Sequence, residues 1–262
     1  MITRKLKLFY GIGGLGKNMV FAMSTVMFIY LTDYLGVSPL FVGGLFLVVR
    51  IWDAINDLVM GNIVDNTKSR WGKFRPWILI GTVLNSIVLI LFFINPNLPA
   101  DSLSLMIYIS VMYLLWGMTY TLMDIPFWAL LPALSKKQKE REEVTVFVRL
   151  FSNIGIFLIA APYVMIVKFL GGGDSQPEKL EGFFLLACIV SVIFLISQVL
   201  VVTFVKEKKE LPSSKTSLKK ALNILVKNDQ LLVIVVVIIM FQLVLYITSG
   251  MAFFFLKYDL GN

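Results

Sequence analysis

Histidine is absent from this 262-residue sequence, and cysteine occurs once, at Cys188. Without histidine the chain cannot form Ser/His/Asp or Cys/His triads, histidine-ligated zinc sites or histidine proton relays. A single cysteine has no partner for a disulfide and cannot build a cysteine-based metal site. Most hydrolase chemistry is therefore excluded by composition, and we expect no enzyme activity and no bound cofactor.

Charge is also scarce. Charged residues make up 15% of the chain, hydrophobic residues make up 58%, and the mean hydropathy is +0.84. A soluble domain of this size could not cover that much apolar surface with polar groups. The composition therefore predicts an all-α membrane protein.

Seven predominantly apolar stretches are long enough to cross a hydrocarbon core about 30 Å thick. Short loops rich in glycine and proline separate most of them, which is typical of hairpins between antiparallel helices. The predicted spans cover about residues 8–34, 39–64, 76–96, 103–132, 145–170, 182–205 and 231–256.

Most of the 24 lysines and arginines fall in alternate gaps, at residues 4–7, 68–75, 136–141 and 206–227. Cytosolic loops carry such an excess, so the N-terminus is predicted to be cytosolic, in a multi-pass protein of the cell (cytoplasmic or inner) membrane. The net charge of +8 is explained by this orientation and by attraction to anionic lipids, without a nucleic-acid partner.

The longest polar segment divides the chain. We expect a six-helix transmembrane bundle over residues 1–205, a cytosolic middle loop over 206–230, and a seventh transmembrane helix over 231–262. One helix after such a linker is an unusual end for a packed bundle. The sequence is therefore interpreted as truncated within a second bundle.

Six charged residues lie inside the spans and more than two residues from a span end, and their charges sum to zero. They are Lys17, Arg50 and Arg149, with Asp53, Asp57 and Asp124. Each would cost roughly 2.5 to 3.5 kcal/mol at the centre of a lipid-facing helix. Structural ion pairing between helices is one interpretation of the set, and a pathway for a polar solute and an ion is the favoured one.

The second span reads RIWDAIND, which places Asp53, Asn56 and Asp57 on one helical face. Two carboxylates this close repel unless a cation or a proton lies between them, and Arg50 could neutralise one of them. Oxygen ligands suit a hard cation, and the neutral oxygen of Asn56 favours Na⁺ or Li⁺ over H⁺. This face is the predicted Na⁺ site.

The fourth span carries Tyr120, Asp124 and Trp128 at intervals of four, with Thr121 on a neighbouring line. Sugars are bound by carboxylates that accept hydroxyl hydrogen bonds and by aromatic faces that stack on the pyranose. Aromatics at helical spacing more often serve packing, so the stripe becomes a candidate sugar site chiefly through Asp124.

At these residues the sequence resembles the melibiose carrier family, the glycoside-pentoside-hexuronide:cation symporters of the major facilitator superfamily. The resemblance covers essentially the whole chain. It is carried by RIWDAIND with SRWGKFRPWILIGT, by LLWGMTYTLMDIPFW, by GGGD and by KNDQL. The resemblance implies two six-helix bundles around a central cavity, of which this chain would be the first bundle and the first helix of the second.

The resemblance also implies roles for individual residues. The implied cation site is Asp53, Asn56, Asp57 and Thr121, and the implied sugar site is Lys17, Asn18, Tyr120, Asp124, Trp128 and Arg149. Galactoside carriers of the family have an acid where this chain has Asn18. The segment containing Gly61, Asp65, Arg70 and Lys73 resembles the loop that biases the superfamily between its states.

The expected function is cation-coupled symport of a glycoside such as melibiose or a related galactoside. The expected partners are the glycoside, a monovalent cation and the lipid bilayer. Two alternatives stay open at this point: a lysolipid carrier of the same superfamily, and a non-transporting membrane sensor or scaffold.

Overall fold

The computed structural model describes residues 3–100, 102–135, 137–207 and 228–258, and all regular secondary structure in these ranges is helical. The helices are α1 Arg4–Ile29, α2 Pro39–Asn66, α3 Arg75–Phe92, α4 Leu103–Leu134, α5 Gln138–Ala160, α6 Tyr163–Gly171, α7 Gln176–Phe204 and α8 Asp229–Tyr258. A π-helical turn, Tyr30–Tyr34, continues α1.

Six of these helical stretches within the described residues are long and apolar enough to cross a membrane: Arg4–Tyr34, Pro39–Asn66, Arg75–Phe92, Leu103–Leu134, Gln138–Ala160 and Gln176–Phe204. An apolar stretch over Asp229–Phe241 begins α8. The predicted all-α, multi-spanning architecture is confirmed.

The fifth predicted span is wrong in one respect. Residues 145–170 are not one helix, because α5 ends at Ala160 and α6 begins at Tyr163. Pro162 lies at the break, because proline lacks the backbone N–H that would continue the helical hydrogen bonds. Hydropathy did not reveal this break, because the residues of both α5 and α6 beside it are apolar.

Local caps set other helix ends. The Ser102 hydroxyl accepts a hydrogen bond from the backbone N–H of Leu105 at 3.2 Å and starts α4. A reciprocal capping box between Ser175 and Glu178 starts α7 at Gln176, six residues before the predicted span. Helix α4 runs through both Pro126 and Pro132.

The chain divides into two compact units, Met1–Ser213 and Ser214–Asn262. The second unit contains α8. Residues 208–227, which make up most of the predicted cytosolic loop, and residues 259–262, at the end of the predicted seventh span, lie outside the described residues. Their predicted roles stay predictions.

In the first unit, α1 packs on α5 and α7, α3 packs on α4 and α7, and α2 packs on α4. The α1–α5 pair is the most extensive of these contacts. Gly155 makes it possible, because a Cβ there would overlap the backbone carbonyl of Leu15. Close approach through small residues is how helices associate in lipid.

A Gly155→Ala substitution should therefore separate α1 from α5 and destabilise the protein by about 1–3 kcal/mol, as overpacking does. Thermal unfolding in detergent would measure the change. Gly43→Ala is the matched control, because a Cβ at Gly43 meets nothing within 4 Å. Equal melting temperatures for the two variants would contradict the role given to Gly155.

Candidate functional site

An ion pair between Lys17 of α1 and Asp124 of α4 lies at the centre of the candidate site. Lys17 is 3% exposed, and its Nζ lies 4.5 Å from the centroid of the Trp128 ring. A buried ammonium needs a counter-charge, and an aromatic face adds cation–π attraction. The structure thus brings together three of the residues predicted for the sugar site.

Tyr120 lies one turn before Asp124 on the same face of α4. Its ring stacks on Trp116 with centroids 5.7 Å apart and contacts Phe21 of α1 at 6.2 Å. Tyr120 is half-buried, as is Trp128. The Tyr120 ring therefore packs against aromatic rings of both α1 and α4.

The predicted cation face of α2 lies against α4. Arg50 forms an ion pair with Asp53, with 3.6 Å between Arg50 Nη1 and Asp53 Oδ2. This is the pairing that the sequence suggested for one of the two carboxylates. The other carboxylate oxygen, Asp53 Oδ1, is buried without a hydrogen-bond partner among the described residues. It faces Gly117 of α4, where a Cβ would lie 2.9 Å away.

Asn56, like Asp53, has a buried polar atom without a hydrogen-bond partner among the described residues. Its Nδ2 is buried and makes no hydrogen bond within the described part of the chain. Rotating the amide by 180° would place the oxygen at that position, since the two ends of an amide are nearly equal in shape. Buried polar atoms are normally bonded, so these two unsatisfied atoms are consistent with a cation ligand set.

Asp57 completes this face. The Thr121 hydroxyl donates a hydrogen bond of 3.1 Å to Asp57 Oδ1, which links the predicted cation face of α2 to α4. Asp57 itself is exposed. Within the described ranges no group of three or more His, Cys, Asp or Glu residues could hold a metal ion, so this site offers two carboxylates with neutral oxygens.

The remaining predicted sugar residues lie on α1 and α5. Asn18 Nδ2 donates to Ser152 Oγ at 2.8 Å and to the carbonyl of Gly14 at 2.9 Å. Arg149 is exposed and forms no ion pair or hydrogen bond with the described part of the chain. Asn18 therefore serves helix packing, whereas Arg149 stays available to a ligand.

The predicted gating loop is brought together only in part. Lys73 Nζ lies 2.7 Å from Asp65 Oδ1, which closes the turn between α2 and α3. Arg70 is exposed and joins no ion pair among the residues described, and a Cβ at Gly61 would meet nothing within 4 Å. Of the four residues, only Asp65 and Lys73 pair with each other among the described residues, and the gating role stays a prediction.

The GGGD segment ties α6 to α7. Asp174 pairs with Lys168 and lies 3.6 Å from Lys179. The hydrogen bond from Lys168 lowers the pKa of the Asp174 carboxyl from its usual value. The segment lies in the loop between α6 and α7, outside the membrane-spanning helices, and its ion pairs connect these two helices.

Known proteins match nearly the whole chain. Residues 9–262 match the family described as MFS/sugar transport protein. The chain belongs to this sugar transport family. The resemblance found in the motifs of the second and fourth spans is thereby confirmed, together with the fold it implied: a major-facilitator-type six-helix bundle followed by the first helix of the second bundle.

Individual relatives are similar over almost all of the chain. Lactose permease of Leuconostoc lactis is 31% identical over 97% of this chain and 42% of its own length. The inner membrane symporter YicJ of Escherichia coli is 31% identical over 100% of this chain and 56% of its own length. The putative glycoside/cation symporter YagG of Escherichia coli is 29% identical with the same coverage.

The chain thus spans about half the length of the curated relatives it matches. The family is described as sugar transport proteins, and these relatives are described as a permease and two symporters.

The sequence analysis did not identify Glu207, which connects two helices next to the site. The Glu207 carboxylate accepts hydrogen bonds from the backbone N–H groups of Lys73, Phe74 and Arg75 at 2.7, 2.8 and 3.2 Å. These are unpaired donors at the start of α3, where the helix dipole favours negative charge. The signal in the sequence that could have revealed this cap is a glutamate, Glu207, among the lysines just after the sixth predicted span.

Arg75 makes a second contact between the same two helices, from α3 to the end of α7. Its guanidinium donates to the carbonyl of Val202 near the end of α7, with Nε at 2.6 Å. The last turn of a helix leaves such carbonyls unpaired, so a cation is favoured there. The two caps together clamp the beginning of α3 to the end of α7.

Asp124→Asn should destabilise the protein by about 3–5 kcal/mol, because it leaves the Lys17 ammonium buried without a counter-charge. The double variant Lys17→Met/Asp124→Asn should recover much of this loss, since it removes both charges. Thermal unfolding in detergent distinguishes them. Equal destabilisation of the single and double variants would show that the pair is not electrostatically coupled.

Glu207→Ala should lower stability by about 1–2 kcal/mol, the usual cost of losing a helix cap. The measurement is again the melting temperature in detergent. Glu181→Ala, which removes an exposed acid of α7, serves as the control. The cap would have no energetic role if both variants melted together.

Proposed function

We propose that this chain contributes to a secondary active transporter that couples glycoside uptake to a monovalent cation. The observation that carries the proposal is the α1–α2–α4 junction. There, the half-buried Asp124, which pairs with the buried Lys17, lies on the same α4 face as the contacts to Asp53 and Asp57. Charges at this depth are expensive in lipid and typically line solute and ion pathways.

The cation would bind between Asp53, Asn56 and Asp57, with the Thr121 oxygen nearby. Two carboxylates repel each other, and Arg50 at 3.6 Å compensates for one of them. A bound monovalent cation would compensate for the other. Na⁺ is our first choice for the coupling ion, with Li⁺ or H⁺ as the alternatives, since the set contains only oxygen ligands.

The sugar would bind beside this site, between Lys17, Asp124, Tyr120 and Trp128. Asp124 Oδ1 accepts from Lys17, which leaves its second carboxylate oxygen for sugar hydroxyls. The half-buried Trp128 and Tyr120 rings offer faces for the apolar side of a pyranose. Melibiose or a related galactoside is the substrate that the resemblance suggests.

Coupling follows from adjacency. Thr121 bonds the cation residue Asp57, and Asp124 lies one turn further along α4. A cation that orders α2 against α4 would therefore also order the sugar site. By linkage, a sugar that tightens cation binding is itself bound more tightly by the same factor.

The transport cycle would be rocking of two bundles around the occupied site. In this arrangement residues 1–205 form the first bundle, 206–230 the cytosolic middle loop and 231–262 the first helix of the second bundle. We expect the lysine- and arginine-rich segments, and with them the N-terminus, to lie on the cytosolic side of the cell membrane. An inward-negative potential would favour cation entry by about 2.3 kcal/mol per charge per 100 mV.

Asp57→Asn tests the coupling site. In the natural protein, uptake of a radiolabelled glycoside should lose its stimulation by Na⁺, and the affinity for Na⁺ should fall at least about tenfold, because one charged ligand is gone. Uptake into cells and sodium titration calorimetry would measure the two effects.

Asp33→Asn is the matched control, since Asp33 is exposed beyond α1 and accepts from Thr32. It should keep full stimulation. Undiminished stimulation in Asp57→Asn would remove the proposed cation site. Absence of any heat from Na⁺, Li⁺, pH change or glycosides in the unmodified protein would instead favour a sensor or scaffold.

A further inference from the structure

A cavity of about 630 Å³ lies between the end of α3 and the start of α7. Its apolar walls are formed by Phe93, Ile94, Leu180 and Phe184. None of the residues predicted for the cation or sugar site, all of which the structure describes, lines this cavity. It is therefore separate from the candidate transport site.

The faces of α3 and α7 that continue from the cavity are apolar. The exposed residues of α3 are Ile80, Val83, Leu84, Ile87 and Leu91. The exposed residues of α7 between positions 182 and 200 are Ile189, Val192, Ile196 and Val199. In a helix that crosses a membrane such faces contact lipid chains, so the cavity adjoins a lipid-facing surface.

The cavity spans the boundary between the hydrocarbon core and the lipid headgroups. A helix rises by about 1.5 Å per residue, so Phe184 lies about 30 Å from Phe204 at the other end of α7. That distance matches a hydrocarbon core about 30 Å thick. Glu181 lies about one turn further out, at headgroup depth, on the side opposite to the predicted cytosolic segments.

Glu181 gives this cavity its charge. It is the one charged residue among the described residues that line the cavity, and it is exposed. It forms no ion pair with the described part of the chain. Lys179 lies about 160° away around α7 and lies 3.6 Å from Asp174 instead. The cavity therefore presents a negative charge that lacks a cation.

Amide side chains lie at the same level as Glu181. Asn95 Oδ1 accepts a hydrogen bond from the backbone N–H of Asn97 at 3.0 Å, which leaves the Nδ2 donors of Asn95 for a ligand. Gln176 Nε2 donates to the carbonyl of Tyr34 at 2.8 Å, which leaves its oxygen as an acceptor. Both amides line the cavity and can bind a polar headgroup.

We propose that this cavity binds a phospholipid with a primary ammonium headgroup, phosphatidylethanolamine, from the leaflet opposite to the lysine-rich segments. The ammonium pairs with Glu181, and a phosphate oxygen accepts from Asn95 Nδ2. An acyl chain lies against Ile94 and Phe184. This inference goes beyond the proposed function, because no residue of the transport site takes part.

The charge of the cavity selects the headgroup. Glu181 would repel an anionic phospholipid, and no lysine or arginine is found among the described lining residues to attract one. A choline headgroup is cationic but has no N–H. An ethanolamine ammonium donates charge-assisted hydrogen bonds to a carboxylate, so it should bind most tightly.

Three lipids with identical chains test this order. Dioleoyl phosphatidylethanolamine, phosphatidylcholine and phosphatidylglycerol differ in their headgroups alone. Native mass spectrometry of the natural protein in detergent gives the dissociation constant of the first bound lipid. The ethanolamine lipid should bind at least about tenfold more tightly than the glycerol lipid, with the choline lipid between them.

Variants locate the effect. Glu181→Gln keeps the shape of the side chain and should abolish the preference for the ethanolamine lipid. Ile94→Trp fills the cavity from its exposed rim and should weaken the binding of all three lipids. Asp33→Asn is the matched control, because Asp33 is an exposed acid at the same end of the bundle that does not line the cavity. It should keep the preference.

The results are independent of transport, because the titrations contain neither sugar nor sodium. Equal affinities for the three lipids, or tighter binding of the glycerol lipid, would overturn the inference while leaving the proposed function as it stands. A preference for the ethanolamine lipid that survives Glu181→Gln would also overturn it. Helical circular dichroism of each variant shows that it is folded.

Discussion

A buried charge inside a bilayer is costly without a counter-charge, and the buried ammonium of Lys17 has its counter-charge on another helix. Lys17 of α1 and Asp124 of α4 form this pair, which links two helices that otherwise pack mainly on other neighbours. The Trp128 and Tyr120 rings take their positions around this pair. Neither charge would be tolerated alone at this burial.

The helices that carry the pair are held by different means. Helix α1 approaches α5 through glycine and a short polar network of Asn18, Ser152 and Gly14. Helix α3 is clamped to α7 by Glu207 and Arg75, each capping an end of the other's helix. These contacts join α1 to α5 and α3 to α7, whereas α2 contacts mainly α4.

The charge distribution links this architecture to the proposed activity. Two pairs close internally, whereas Asp57 and Arg149 stay without ionic partners in the described residues. Under the proposed function, a monovalent cation would compensate the charge of Asp57, and in a low dielectric such compensation is worth more than in water.

The sequence by itself determined the membrane class, the approximate spans and the shared face of Asp53, Asn56 and Asp57, because hydropathy and helical spacing are local properties. Even the break at Pro162 had a local signal. Only the tertiary structure decided that Lys17 pairs with Asp124, that Asn18 bonds Ser152, and that Glu207 caps α3. These contacts join residues more than a hundred positions apart, and helix packing, which no local pattern encodes, selects the partners.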